Sequence, residues 1–496
     1  MKNFKTLFGM AAVALIAAAC TNDVSEVLAP EAPQQGIPFV ATLAPKSFNA
    51  TTRTLLTENT DGTISSAWQV GDEITLRYGT DYATESTATV TEVKEDGSAT
   101  IEATLESGIT DGDEVLLWYA PGSFADQDGE LSNKLDHRFG SGKFKVTGGV
   151  ASLDGSVTMK ASGSIFKFTL QDLGGNVLNV KELTISTEGV ERSSVTLASA
   201  ASSFYVAFDA FVAEDSEVWF TATDESDNPY IAKVTATKDV EAGYYYQSTL
   251  KMATLGDLMN SDGSFSAGAE DGKTPIGVIA YLGNDATVES TEDGGGHGLV
   301  MALENADGNV KWSTDTETWQ FGESAAVTNV EALLRTTDVS GYTNTKTLVE
   351  KTDAGDPEDL FPAAYYAWNY SEKHSSAKAP AGTTGWFLPS AQQWVKMMTG
   401  LGGMSVSDIK WLSWFDNNHT AADNWEDALK KAGEDNYDSM TDAYLWYWSS
   451  SEYSQRIAVH VGIDATHTGG DYGFLVDYDD KDRTSSLSRV RSVLAF

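Results

Sequence analysis

Short apolar stretches with a period of two recur between residues 38 and 250, and this pattern restricts the first half of the chain to β-structure. Residues 74–78, 99–103 and 115–119 alternate apolar and polar side chains, as strands do when one face is buried and the other is wet. Asp-Gly dipeptides, as at residues 96–97, separate such stretches and are typical of tight hairpins. They lack the twelve-residue spacing of an EF-hand, so we interpret them as turns rather than calcium sites.

The same texture continues through residues 165–170, 183–186 and 217–221 and ends near residue 250. Regular short strands separated by turn residues are typical of β-sandwiches. This pattern predicts an all-β sandwich architecture for residues 37–252, a length that could hold more than one domain at about 100 to 200 residues each.

The composition changes after residue 253, where ten of the 13 tryptophans lie. Residues 253–274 are rich in Gly, Ser and Asp and are predicted to be a linker. Beyond it, Ser390 and Gln393 form a capping-box pattern in front of apolar residues with helical spacing. The region from 275 to 496 is predicted to be a mixed α+β domain. Its predicted helices begin near residues 361, 390 and 423, and its predicted strands cover 446–449, 457–461, 472–476 and 489–495.

The N-terminus has the features of an export signal. Lys2 and Lys5 precede an apolar run that ends in small residues before Cys20, and this run is too short to span a bilayer. We predict a signal peptide at residues 1–19, lipid attachment at Cys20, and a tether at residues 20–36. The alternative is an ordinary secretory signal followed by an unrelated cysteine.

Cys20 is the only cysteine in 496 residues, and this excludes several kinds of chemistry. The body after Cys20 cannot form disulfides, thiolate nucleophiles or thiolate metal sites. The formal net charge of −39 would repel phosphate backbones, so no nucleic-acid partner is expected. No zinc-type histidine spacing, GxSxG elbow or phosphate loop occurs, and we predict that the protein is not an enzyme.

The first half resembles the fimbrillin family of pilins. The resemblance rests on PFVA at 38–41, TRT at 52–54, WQVGDEI at 68–74 and GYYY at 243–246. It implies two all-β transthyretin-like sandwiches, at residues 37–160 and 161–252. It also implies lipoprotein export and proteolytic removal of an N-terminal strand after an arginine. Arg53 lies where that cleavage would fall, although it could equally be an ordinary exposed arginine. In such pilins a strand from a neighbouring subunit then fills the groove.

The second half resembles the major-paralogous-type domain of surface lipoproteins, which is related in fold to C-type lectins and to the formylglycine-generating enzyme. The matching stretches are 276–283, 385–390 with Trp394, 447–453 and 490–496. The enzyme of that fold needs thiols, which this domain lacks. The resemblance therefore implies a C-type-lectin-like domain that binds glycan or protein, although fold alone does not establish a function.

Two groups of residues are candidates for binding sites. Aromatic rings can stack on sugars, and a polar loop beside Trp414 gives a candidate ligand site formed by Trp414, Asp416, Asn417 and Asn418. A carboxylate cluster is a candidate calcium site formed by Asp477, Asp479 and Asp480. The alternative for the cluster is a solvated turn in which Lys481 and Arg483 balance the charge, and no cofactor is required.

These observations predict a cell-surface lipoprotein of the outer membrane that acts as a pilus subunit. A whole domain follows the fimbrillin-like half, so the subunit would accept a strand without donating one. A tip adhesin is therefore expected, with other pilin subunits and a host or bacterial glycan or protein as partners. The alternative is a permanently anchored lipoprotein that binds glycan without polymerising.

Overall fold

The computed structural model describes most of the chain after residue 35. The described ranges are 36–46, 57–58, 64–209, 212–285, 288–291, 294–335, 340–353, 355–413, 420–441, 445–464, 473–483 and 488–496. No helix among these residues has both the length and the apolarity needed to cross a membrane. Cys20, Arg53 and the predicted ligand loop at 414–418 lie outside the described residues.

The N-terminal barrel, residues 37–161, is built almost entirely from strands. They are β1 (Ile37–Leu43), β2 (Thr57–Glu58), β3 (Ile64–Ser65), β4 (Glu73–Tyr78), β5 (Thr84–Val93), β6 (Ala99–Leu105), β7 (Glu114–Tyr119), β8 (Arg138–Thr147), β9 (Val150–Leu153) and β10 (Lys160–Ala161). The strand order is β10-β8-β7-β4-β5-β6-β1-β9, and β9 also pairs with β8. The first predicted sandwich thus closes on itself as a barrel around an apolar core.

The middle sandwich, residues 163–254, follows at once. Its strands are β11 (Gly163–Asp172), β12 (Val180–Thr187), β13 (Val190–Ala201), β14 (Ser203–Asp209), β15 (Glu217–Thr223), β16 (Pro229–Thr235) and β17 (Tyr245–Thr254), in the order β13-β12-β15-β16-β17-β11-β14. β17 runs parallel to β11 up to Met252 and then pairs with β16 at Ala253 and Thr254. β17 therefore connects the strands β13, β12, β15 and β16 with the strands β11 and β14.

The C-terminal unit, residues 258–496, contains two five-stranded sheets. Its strands are β18 (Leu258–Asn260), β19 (Phe265–Ser266), β20 (Pro275–Leu282), β21 (Ser290–Thr291), β22 (Gly294–Gly295), β23 (Gly298–Ala302), β24 (Asp307–Gly308), β25 (Leu445–Glu452), β26 (Ile457–Asp464), β27 (Gly473–Asp480), β28 (Ser488–Val490) and β29 (Val493–Ala495). The sheet orders are β19-β18-β20-β23-β29 and β24-β28-β25-β26-β27.

The α-helices among the described residues lie in this unit. They are α1 (Val330–Leu333), α2 (Gly341–Val349), α3 (Pro357–Leu360), α4 (Pro362–Trp368), α5 (Tyr370–Lys373), α6 (Ala391–Thr399) and α7 (Thr420–Lys430). The predicted capping box of α6 is confirmed, because the Ser390 hydroxyl accepts from the Gln393 amide and the Gln393 side chain accepts from the Ser390 amide. α7 begins before Asp423, so that residue lies in the first turn and the predicted cap there is wrong.

The predicted linker at 253–274 is wrong, because this segment is part of the C-terminal sheet. β18 and β19 pair with each other, and β18 pairs with β20. The Asn260 side chain is fully buried, and its NH₂ group donates to Ser264 and Ser266, so these donors are satisfied inside the fold. The turn between the strands contains Gly263 at a φ of 81°, the same Asp-Gly device that separates the earlier strands.

Buried contacts join the three parts of the described structure. Between the barrel and the middle sandwich, the amide of Gln127 donates to the Ala207 carbonyl at 2.7 Å and accepts from the Ala207 N–H at 2.8 Å. Between the middle sandwich and the C-terminal unit, the ring of Trp219 stacks on His297 with centroids 4.0 Å apart and lies 6.3 Å from Phe496. The parts are therefore packed together rather than held only by the chain.

Candidate assembly site

β1 is the strand that closes the N-terminal barrel. It pairs antiparallel with β6 along its whole length, from Ile37 opposite Leu105 to Leu43 opposite Ala99. Its other edge is held less extensively, by one parallel register pair with β9 and one isolated bridge between Leu43 and Val157. β1 therefore has many strand pairs along the edge that faces β6 and few along the edge that faces β9. We call this position in the barrel the seam.

The inward face of β1 fills part of the barrel core. Phe39, Ala41 and Leu43 alternate with more exposed residues and are almost fully buried. The Phe39 ring meets Phe144 edge to face, with centroids 5.9 Å apart. Burial of the Phe39 and Leu43 side chains stabilises the barrel by about 1.5–3 kcal/mol each. A barrel without β1 would have an apolar groove and two unpaired strand edges.

A buried lysine follows β1. The side chain of Lys46 has no exposed surface, and its Nζ lies 3.2 Å from the Asp136 carboxylate and 3.4 Å from the Asp72 carboxylate. The same nitrogen lies 4.2 Å from the ring centroid of Trp68 and 3.8 Å from that of Tyr119. Two carboxylates and two aromatic faces thus surround one ammonium group, an arrangement that stabilises a desolvated cation.

The four residues that surround the ammonium group, Trp68, Asp72, Tyr119 and Asp136, form what we call the cation pocket. All of them come from the chain after β3. The WQVGDEI stretch supplies two, and its turn places them: Gly71 has a φ of 97°, and the Gln69 amide donates to Asp72 at 2.9 Å. The Trp68 indole N–H donates to the Ala44 carbonyl at 2.9 Å. The stretch therefore contacts both the end of β1 and the lysine beyond it.

Hydrogen bonds hold the carboxylates of the cation pocket in place. Asp136 is fully buried and accepts from the Arg138 guanidinium at 2.7 Å and from the Ser66 hydroxyl at 2.7 Å. Asp72 accepts from the Tyr119 hydroxyl at 3.0 Å. Burial lowers the pKa of Lys46, opposed by the two carboxylates, and burial with the same carboxylates raises the pKa of Tyr119. The Tyr119 phenol therefore stays neutral. The pocket holds one cation, the ammonium group of Lys46, which follows β1 in the chain.

Sequence reasoning selected Arg53 but missed Lys46 and the cation pocket. The segment Ala44-Pro45-Lys46 carries no periodicity, and the carboxylates that receive Lys46 lie far away in the sequence. A signal was nevertheless present, because Trp68 and Asp72 lie within the stretch that carries the fimbrillin resemblance. Arg53 itself lies outside the described residues.

The three aspartates of the candidate calcium site do not lie in a turn. β27 extends to Asp480 because it pairs with β26 along its full length. Asp479 pairs with Arg483 at 2.8 Å and Asp480 with Arg456 at 3.1 Å, while burial raises the pKa of Asp477. In the described ranges, no cluster of three or more His, Cys, Asp or Glu side chains is arranged to hold a metal. Arg483 compensates Asp479 as the metal-free alternative expects, but Lys481 is buried against Glu452 instead, and Arg456 takes its place beside Asp480.

Three partly buried aromatic rings form a stack that includes Trp411, which lies three residues before Trp414 in the sequence. Trp411 stacks on Tyr453 with centroids 6.2 Å apart, and Tyr453 stacks on Tyr478 at 4.3 Å. Trp425, in α7, is fully buried and packs against Trp394. Trp425 therefore belongs to the core, and Trp411 packs against the edge of the same core.

Comparisons with known proteins give structural similarities. No protein-family model matches the sequence, and no curated protein matches it significantly. A fimbrial protein from Bacteroides ovatus is 17% identical, with 93% of this chain and 100% of that chain covered and a TM-score of 0.35. A fimbrial assembly protein from Parabacteroides distasonis is 10% identical, with 43% and 90% covered and a TM-score of 0.25. A shaft pilin from Lactobacillus rhamnosus GG is 14% identical, with 44% and 98% covered and a TM-score of 0.21. At these scores the function must be argued from the chain's own residues.

Proposed function

We propose that the protein is a surface pilus subunit in which β1 is removed and replaced by a strand of another subunit. The observation that carries this proposal is the position of β1 in the seam of the barrel. It precedes Arg53 in the chain, so a cut after Arg53 would separate β1 and Lys46 from every other strand. The rest of the barrel would keep its own strand pairings.

Removal of β1 would create a binding site for an extended segment. The edge of β6 that faces β1 would lose its main-chain hydrogen-bond partners. The spaces that the Phe39 and Leu43 side chains occupy would become apolar pockets. An exposed strand edge with apolar pockets at alternate positions is the arrangement that accepts an added strand. Main-chain hydrogen bonds would provide affinity, and the pockets would provide register.

The subunit is proposed to accept a strand at the tip of a fibre. β29 and Phe496 are buried in the C-terminal sheet, and this supports a role in which the subunit donates no strand from that segment. The C-terminal unit, proposed to be C-type-lectin-like, would then contact a glycan or protein ligand. The stacked, partly exposed rings of Trp411, Tyr453 and Tyr478 support a ligand surface on this unit, and Trp414, Asp416, Asn417 and Asn418, which follow Trp411 in the sequence, are proposed to contribute to it.

Export is proposed to proceed through a lipid on Cys20 that delivers the chain to the outer membrane. Cleavage at Arg53 would then release the chain from its anchor as it enters a fibre. The alternative, a permanently anchored lipoprotein, differs in one respect: the chain at the surface would keep Cys20.

The test is the N-terminus of the protein in fibres isolated from cells. Mass spectrometry should find a start at Thr54 in the fibre fraction, and Arg53→Ala should prevent entry into fibres while the chain accumulates with Cys20 at its start. Arg77→Ala is the matched control, because Arg77 is exposed and pairs with Glu85 on the barrel surface. Lipidated Cys20 at the start of all surface protein would contradict the proposal and favour the permanently anchored binder.

A further inference from the structure

The cation pocket belongs to the part of the barrel that remains when β1 leaves. Trp68, Asp72, Tyr119 and Asp136 all follow β3 in the chain, and the Arg138 guanidinium that binds Asp136 follows them. With Lys46 in place, two cations face two carboxylates. Without it, the buried site carries one uncompensated negative charge, which is costly in a low-dielectric interior.

The pocket also gives the groove a direction. Phe39 occupies the end of the groove near Phe144, whereas Lys46 occupies the opposite end, three residues beyond Leu43. The chain between Leu43 and Lys46 stays fixed along the seam, because Ala44 donates to the Val157 carbonyl at 2.8 Å and accepts from Trp68. A strand that enters in the opposite direction would bring an apolar residue to the charged end.

We infer that the strand which replaces β1 carries a lysine or arginine three residues after its last inward-facing apolar side chain. This inference rests on the proposed strand exchange and names the chemistry of the partner. The apolar side chains at alternate positions match the groove, and the cation neutralises the pocket between the two aromatic faces. The cation therefore selects both the partner and its register.

The experiment uses the full chain with residues 51–54 replaced by the recognition sequence of a site-specific protease. After the cut, the protein is mixed with fluorescent peptides that span residues 36–47, and binding is followed by anisotropy and size exclusion. The peptides have the native sequence, Lys46→Met, or Pro45→Lys combined with Lys46→Met. The last keeps the net charge but moves the cation to a position that is exposed in the structure. All substitutions are in the peptide, so the fold of the receptor is the same throughout.

The native peptide should displace β1 and bind, and both substituted peptides should bind at least tenfold more weakly. The difference should persist at 0.5 M salt, because a buried pair is screened much less than a surface pair. Binding of the Lys46→Met peptide within twofold of the native one would overturn the inference and leave strand exchange standing. Failure of the native peptide to enter the cut protein would overturn the proposed strand exchange and the inference with it.

Discussion

β1 and β29 both complete a sheet with apolar side chains, but they are held in different ways. β1 has one extensive partner, β6, and a short contact with β9. β29 pairs with β23 on one side, and Val493 exchanges two main-chain hydrogen bonds with Phe387 on the other. The fully buried Arg491 precedes β29 and donates to the carbonyls of Ala302, Leu303 and Asp438. β1 is thus held mainly along one edge, whereas β29 is held along both edges and by the buried arginine that precedes it.

The largest expected effect is at the fixed strand. Arg491→Met should lower the free energy of unfolding of the C-terminal unit by about 4 kcal/mol. The buried carbonyls of Ala302 and Leu303 and the partly buried carbonyl of Asp438 would lose a donor, at a cost of about 1–3 kcal/mol for each buried group. Urea denaturation followed by tryptophan fluorescence measures this. Arg456→Met is the matched control, since Arg456 forms an exposed pair with Asp480 and should change stability by less than about 1 kcal/mol. Equal effects of the two variants would remove the contrast between the strands.

The next effect is at β1, the strand that we propose is exchanged. Lys46→Met in the uncut chain should cost about 3 kcal/mol, because removal of one partner leaves buried carboxylates uncompensated. Hydrogen exchange of the β1 amides should accelerate more than that of β7, since Lys46 belongs to the β1 segment. Arg77→Met, at the exposed pair with Glu85, serves as the control. Uniform acceleration across the barrel would show that Lys46 stabilises the whole domain rather than β1.

The smallest effect concerns the contact between the middle sandwich and the C-terminal unit. Burial, aided by the positive charge of Lys233, lowers the pKa of His297 to about 4. The unfolded chain therefore binds more protons between pH 6.5 and 4, and stability falls as the pH falls through that window. The loss should be at most about 2 kcal/mol, because the ring is partly exposed.

The difference between the native protein and His297→Phe isolates this histidine. Burial also lowers the pKa of His460, to about 3, so the native curve alone contains both contributions. Unfolding curves at several pH values should diverge between the two proteins below pH 6.5, the native protein losing more stability. Parallel curves would mean that His297 does not report on the contact with Trp219.

The sequence predicted local features well where the interactions that form them involve residues close together in the chain. The alternating stretches at 74–78, 99–103 and 115–119 fall within β4, β6 and β7, because alternation follows directly from one buried face. The capping box at Ser390 was found because its two partners are three residues apart. In each case the interacting groups are neighbours in the chain.

Features that depend on distant partners were not predictable. Lys46 lies in a segment without periodicity, and its burial depends on aromatic rings and carboxylates contributed by other strands. The hairpin of β18 and β19 was predicted to be a linker because it is rich in Gly, Ser and Asp, whereas the buried donor bonds of Asn260 form only in the folded sheet. The strand predicted at 489–495 divides into β28 and β29 because Arg491 turns inward to the carbonyls of other elements. A single sequence does not display such pairings.

The short passage from β17 to β18 has a mechanical consequence. β17 ends at Thr254 and β18 begins at Leu258, and the stacked rings of Trp219 and His297 lie across the same junction. A pull on the C-terminal unit, as from a bound surface under flow, therefore has almost no slack to take up before it reaches β17. Because β17 lies parallel to β11 through eight register pairs, the force loads many hydrogen bonds in shear at once. The middle sandwich would therefore transmit force between the C-terminal unit and the N-terminal barrel with little extension.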